Sequence, residues 1–75
     1  MDKYEQRRVS LKKLVDDLGR GGIKKVASAI AKEPNYVSRM LYPQGKKGSK
    51  RIGEDSAELI SAAFPIWLGH RGGDD

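Results

Sequence analysis

The chain has 75 residues, enough for one small domain that buries only about 60% of its unfolded surface. It contains no cysteine, which excludes disulfide staples and thiolate metal sites, and no apolar run long enough for a membrane span or a signal-peptide core. The net charge of +5 is unevenly placed: residues 1–51 carry fourteen Lys/Arg against five Asp/Glu, residues 52–75 one against five. A basic end and an acidic end in one small chain suit a nucleic-acid partner, and no stretch pairs a basic face with the large aromatic face that a membrane surface would need.

Residues 1–6, MDKYEQ, have no periodic apolar signal and are expected to form a flexible arm ahead of a single domain over 7–69. Val9, Leu11, Leu14, Val15 and Leu18 then predict a helix from about Arg7 to Leu18, with Gly19 as its stop and Arg7, Arg8, Lys12 and Lys13 on its outer side. The run Gly19-Arg20-Gly21-Gly22 leads into a second helix. Its first amides, at Gly22, with Lys24 and Lys25 beside them, form a candidate phosphate site.

Ile23, Val26, Ala27 and Ile30 recur at helical spacing, and Val37, Met40 and Leu41 take up the same period after a break at Pro34. Proline suits the first position of a helix and drives Glu33 out of the α region, so the first of these helices is expected to stop near Ala31 or Lys32. Two helices joined by about three residues make a tight corner, the geometry of a helix-turn-helix. The second carries a polar stripe opposite its apolar one: Asn35, Ser38, Arg39 and Tyr42. Asn and Arg match the hydrogen-bonding edges of adenine and guanine in the major groove, although a solvated helix face has the same spacing.

Pro43 to Arg51 contains Lys46, Lys47, Lys50 and Arg51, two glycines and no apolar side chain. It reads as an exposed loop, and its position directly after the polar stripe favours a clamp on a phosphate backbone over a merely solvated segment. Ile52 returns to the core. Glu54 and Asp55 open a further helix, with Leu59, Ile60, Ala63 and Phe64 on its apolar side and Pro65 at its end. Ile66-Trp67-Leu68 is a short apolar segment, a candidate for one more helical turn, and residues 70–75 read as a disordered tail. No strand pattern occurs, and the expected fold is all-α, a compact bundle of four to five helices.

On these residues the sequence resembles the lambda-repressor-like helix-turn-helix proteins of phages and bacteria, including Cro-type regulators. The resemblance runs from about Leu11 to Leu68 and is carried by Val26-Ala27 and Ile30, by Tyr36-Val37-Ser38-Arg39, and by Trp67-Leu68. It implies that Ala27 lets two helices cross closely and that Val37 and Met40 anchor a recognition helix over 34–42. Pro34, Asn35, Ser38 and Arg39 would form the base-reading face, with Ser38 on its backbone side next to Tyr42. The chain departs from the family pattern at the corner. Ala31 stands where glycine is usual, which costs on the order of 1 kcal/mol if that residue is left-handed. Lys32 replaces an apolar residue, Glu33 a Ser/Thr cap, and Ile23 a polar one.

The expected function is sequence-specific binding of double-stranded DNA by a phage-type transcriptional regulator, in a bacterial cytoplasm. Gly22, Lys24, Lys25, Tyr42, Lys46, Lys47, Lys50 and Arg51 are the expected backbone contacts. A palindromic operator implies a weak homodimer, or a dimer formed on DNA. Its expected contact is Phe64, Ile66, Trp67 and Leu68, with the alternative that Trp67 closes the bottom of the core. A protein-interaction module (antirepressor, antitoxin or adaptor) is the rival reading, favoured by an exposed Trp67. RNA binding needs more platform aromatics than Tyr36 and Tyr42 supply. Catalysis is not expected, since the one histidine, His70, lies in the tail without a fixed carboxylate partner. No cofactor, metal or small-molecule substrate is expected either.

Overall fold

The computed structural model describes residues 2–67, which form four α-helices and no strand: α1 (Lys3–Leu18), α2 (Gly22–Ala29), α3 (Pro34–Leu41) and α4 (Glu54–Ala63). The first turn of α1 is helical where a flexible arm is expected from sequence. Asp2 caps it, its side chain accepting from the Glu5 amide at 2.8 Å. Ion pairs replace the missing apolar periodicity: Arg8 donates to Glu5 within the helix, while Lys3 and Arg7 reach Glu54 at the start of α4. Arg7 also donates to the Ile52 carbonyl at 2.9 Å, so both chain directions meet at this corner.

The core is built from Leu11 and Leu14 of α1, Val26 and Ala27 of α2 with Ile30 beyond its end, Val37 and Met40 of α3, Ile52, Ala57 and Ile60, and Trp67. Each large member contributes roughly 1.5–3 kcal/mol by leaving water. Two expected core positions lie outside it: Val9 is 44% exposed and Leu59 41% exposed, and Ala57 takes the inward place on α4 that was expected of Leu59. α2 lies at the centre and packs against α1, α3 and α4. The radius of gyration, 11.6 Å, is that of a close-packed chain of this length.

Gly22 fixes how closely α2 approaches α1. A Cβ built there would lie 2.4 Å from the Val15 carbonyl oxygen, a distance no side chain tolerates. Beyond Phe64 the chain turns through Pro65–Trp67, with the Trp67 amide donating to the Phe64 carbonyl at 2.9 Å. No fifth helix forms among the described residues. None of the helices there is long and apolar enough to cross a membrane.

Candidate nucleic-acid interface

The corner between α2 and α3 is closed by backbone bonds. α2 gives up its helical geometry at Ile30, slightly earlier than expected, because Ala31 is left-handed (φ 59°) and is the one non-glycine residue with positive φ among those described. The Ala31 amide then donates to the Ser28 carbonyl at 3.2 Å and the Lys32 amide to the Ala27 carbonyl at 2.9 Å. That double closure is the usual C-terminal stop of a helix, here made without the usual glycine. Three residues later Pro34 opens α3, and Glu33, in extended conformation, receives the amides of Tyr36 and Val37 on its carbonyl.

α3 is sorted by face as its spacing predicts. Val37 and Met40 are buried against α2 and α1, Tyr36 is half-buried, and its hydroxyl shares a 2.9 Å hydrogen bond with the buried Ser56 of α4. On the opposite side Pro34, Asn35 and Arg39 are exposed and Ser38 is half-buried. Tyr42 has left the helix (φ −63°, ψ 144°) and lies half-buried at its end.

The basic loop folds back against α3. Its two tight turns are closed by Lys46 N–H to Pro43 O (3.1 Å) and Ser49 N–H to Lys46 O (2.9 Å), with Gly45 and Gly48 at φ 89° and 86°. The Lys50 amide then donates to the Arg39 carbonyl at 3.1 Å, which ties the far end of the loop to the last turn of α3. Lys46, Lys47, Lys50 and Arg51 are all exposed.

Charge is divided between the two halves of the molecule. Among the described residues every ion pair uses a cation of α1: Lys3 and Arg7 with Glu54, Arg8 with Glu5, Lys12 with Asp16 and Lys13 with Asp17. The nine Lys/Arg between positions 20 and 51 have no carboxylate partner among them. Glu33 is the only acidic residue in that span. Hydrogen bonds from Lys3 and then Arg7 hold the Glu54 carboxyl below its ordinary range, and the Arg8 guanidinium does the same for Glu5. Those carboxylates are committed to α1, so the positive field falls on α2, α3 and the loop.

Several expected contacts are placed differently. Gly22 is buried and its amide donates to the Gly19 carbonyl at 3.0 Å, so it serves helix packing and offers no phosphate site. Lys24 is exposed beside it, whereas Lys25 donates to the Leu18 carbonyl at 3.3 Å and caps the end of α1. Trp67 is only 5% exposed and donates from Nε1 to the Ser61 hydroxyl at 2.7 Å. It closes the core and is not a contact surface. Of the expected dimer contact, Phe64 is half-buried, Ile66 is 79% exposed, and Leu68 lies outside the described residues, as does the tail over 70–75.

Two features escape sequence reading. Tyr4, placed by the sequence in a mobile arm, sits under Arg51 with the guanidinium 4.8 Å from its ring centroid. Lys32, an off-pattern residue at the corner, lies over the Tyr36 ring at 5.3 Å. The signal for Lys32 was local, four residues before Tyr36; the pairing of Tyr4 with Arg51 joins residues more than forty positions apart and leaves no local trace. No protein-family model, curated protein or solved structure matches the chain.

Proposed function

We propose that the chain is a double-stranded DNA-binding module of the helix-turn-helix kind, with α3 lying in the major groove, as in the lambda-repressor-like regulators that the sequence resembles. The observation that carries this reading is the exposed Asn35–Arg39 face of α3, accompanied by eight further cations between positions 20 and 51 that, like Arg39, have no carboxylate partner among the described residues. Arg39 and Asn35 read base edges, Pro34 and Ser38 fit the groove beside them, and Lys24 and the cations of 46–51 meet the phosphates. Burial of Trp67 removes the feature that favoured a protein-interaction module.

A single α3 reads only a few base pairs, so two copies on a two-fold site, with half-sites about 34 Å apart, give usable specificity. Ile66, in the acidic carboxyl-terminal segment, is the most exposed of the large apolar residues described and so is the one best placed for such a contact.

Selection of bound sites from a random duplex pool tests the reading, followed by titration of the enriched site and of random DNA. With about four to six phosphates met per copy, the log–log dependence of affinity on salt falls with a slope near −0.9 per phosphate. Arg39→Ala or Asn35→Ala costs about 1–3 kcal/mol on the enriched site and little on random DNA. No enrichment together with a salt slope near zero rejects the proposal. Equal loss on both DNAs reassigns Arg39 to the backbone.

A further inference from the structure

All three tyrosines of the chain lie beneath the basic loop or at its margins, and three of the loop's four cations rest on them. Lys46 Nζ is 4.2 Å from the Tyr42 ring centroid, Lys50 Nζ 5.0 Å from that of Tyr36, and the Arg51 guanidinium carbon 4.8 Å from that of Tyr4. All are within the reach of a cation–π attraction. The Tyr42 ring also supports the loop backbone: a Cβ at Gly48 would lie 3.6 Å from its Cε2. The Tyr36 ring is fixed in turn by the bond of its hydroxyl to Ser56.

Apolar packing contributes little to holding the loop down, since residues 43–51 contain no apolar residue apart from Pro43. The recess between the loop and α1, lined by Tyr4, Arg8, Met40, Tyr42 and Ile52 among others, has a volume of about 20 Å³. That is room for one water, so the loop rests on the rings rather than arching over a ligand.

We propose that these tyrosine rings are positioning residues for nucleic-acid binding: they hold Lys46, Lys50 and Arg51 in one outward-facing row. The cations thus meet phosphates already ordered, with less side-chain entropy to lose on binding. This rests on the DNA-binding reading above. It changes the part assigned to Tyr42, whose ring face does the work and whose hydroxyl need not touch the phosphate. Lys47, which lies over no ring among the described residues, is the internal control.

Two measurements test it. In the free protein, the Tyr42 ring current shifts the Lys46 ε-methylene proton resonances upfield. That shift is kept in Tyr42→Phe and lost in Tyr42→Leu, while the resonances of Lys47 stay where they are. On a duplex of fixed sequence, Tyr42→Leu binds about threefold to tenfold more weakly although the formal charge is unchanged, and Tyr42→Phe stays within about twofold of wild type. In a Lys46→Gln background the Tyr42→Leu effect shrinks to within about twofold, because the seat then has nothing to hold. Tyr42→Met, which keeps bulk beneath Gly48 without a π face, stands in if the leucine variant melts. Equal losses for Phe and Leu make the hydroxyl a direct contact and overturn the proposal, as does wild-type binding by both Leu and Met. Absence of duplex binding by the wild type overturns the DNA reading itself, and the ring-current shift then still reports whether the seat exists.

Discussion

Two clusters of positive charge occupy this small molecule, and their surroundings differ. The cations of α1 all lie next to carboxylates, within the helix at i+3 and i+4 spacing and across to Glu54, although Lys3 and Arg7 also lie over the Tyr4 ring. Those of α2, α3 and the loop lie next to tyrosine rings, a backbone carbonyl (Lys25) or solvent, with Glu33 the single acid in their span. A cation paired with a carboxylate presents little net charge to a polyanion and must give up its partner to bind one. A cation on a ring keeps its full charge and gains a fixed position. Net charge by itself therefore misplaces the positive field, since five basic residues of α1 add to the total but little to that field.

The largest effect that would break this comparison is on binding. Replacing Lys46, Lys47 and Lys50 by Gln is expected to weaken duplex binding about a hundredfold near physiological salt and to reduce the salt slope by nearly three units. The same number of neutralisations at Arg8, Lys12 and Lys13 is expected to cost less than about threefold. Fluorescence anisotropy over a salt series measures both. Equal losses from the two triple variants would mean that pairing does not divide the molecule in the way described.

Stability at the junction of the two halves gives the next test. Gly22→Ala forces a methyl group against the Val15 carbonyl and should cost about 1–3 kcal/mol as α2 shifts off α1, read as a lower midpoint in urea. An unchanged midpoint would show that α1 and α2 slide freely and that the two halves are less rigidly joined than the packing implies.

A smaller effect of opposite sign belongs to the corner. Ala31→Gly relieves a left-handed alanine and should stabilise the fold by about 1 kcal/mol, with a rise of roughly 4–8 °C in the thermal midpoint. Affinity for duplex DNA should stay within about twofold, since the change lies behind the exposed face of α3. A destabilised Gly variant would contradict the left-handed geometry.

The smallest effect is the dependence on pH that the paired carboxylates bring. Asp2, Glu5 and Glu54 are held below their ordinary values, Asp2 first by the backbone amide of Glu5, Glu5 by Arg8, and Glu54 by Lys3 and then Arg7. A carboxyl with a lowered folded-state value stabilises the fold above its ordinary range, and that contribution disappears as pH falls through the lowered value. Thermal midpoints should thus be level near neutrality and decline from about pH 5 downward. Glu54→Gln should lower the neutral plateau slightly and make the acid decline shallower. Identical acid limbs for the two proteins would place the linkage elsewhere.

Much of this was legible in the chain. The periodicity of Ile23 to Ile30, the break at Pro34 and the renewed period through Val37 and Met40 specify two short helices and their inward faces. The reason is that burial selects apolar residues at helical spacing whatever their partners. The acidic start of α4 and the exposed basic loop were equally local signals. The first turn of α1 was not, because it is held by a cap and by ion pairs to Glu54 rather than by an apolar stripe.

Only the tertiary structure decided which cations are spent on carboxylates and which rest on rings without one, since Arg7 with Glu54 and Arg51 with Tyr4 each join residues more than forty positions apart. It also decided that Trp67 closes the core and that Gly22 is a packing residue. Sequence determines local conformation through short-range sterics and periodic burial. Contacts between side chains far apart in the chain, and so the availability of a charge to a partner, exist only once the helices have packed.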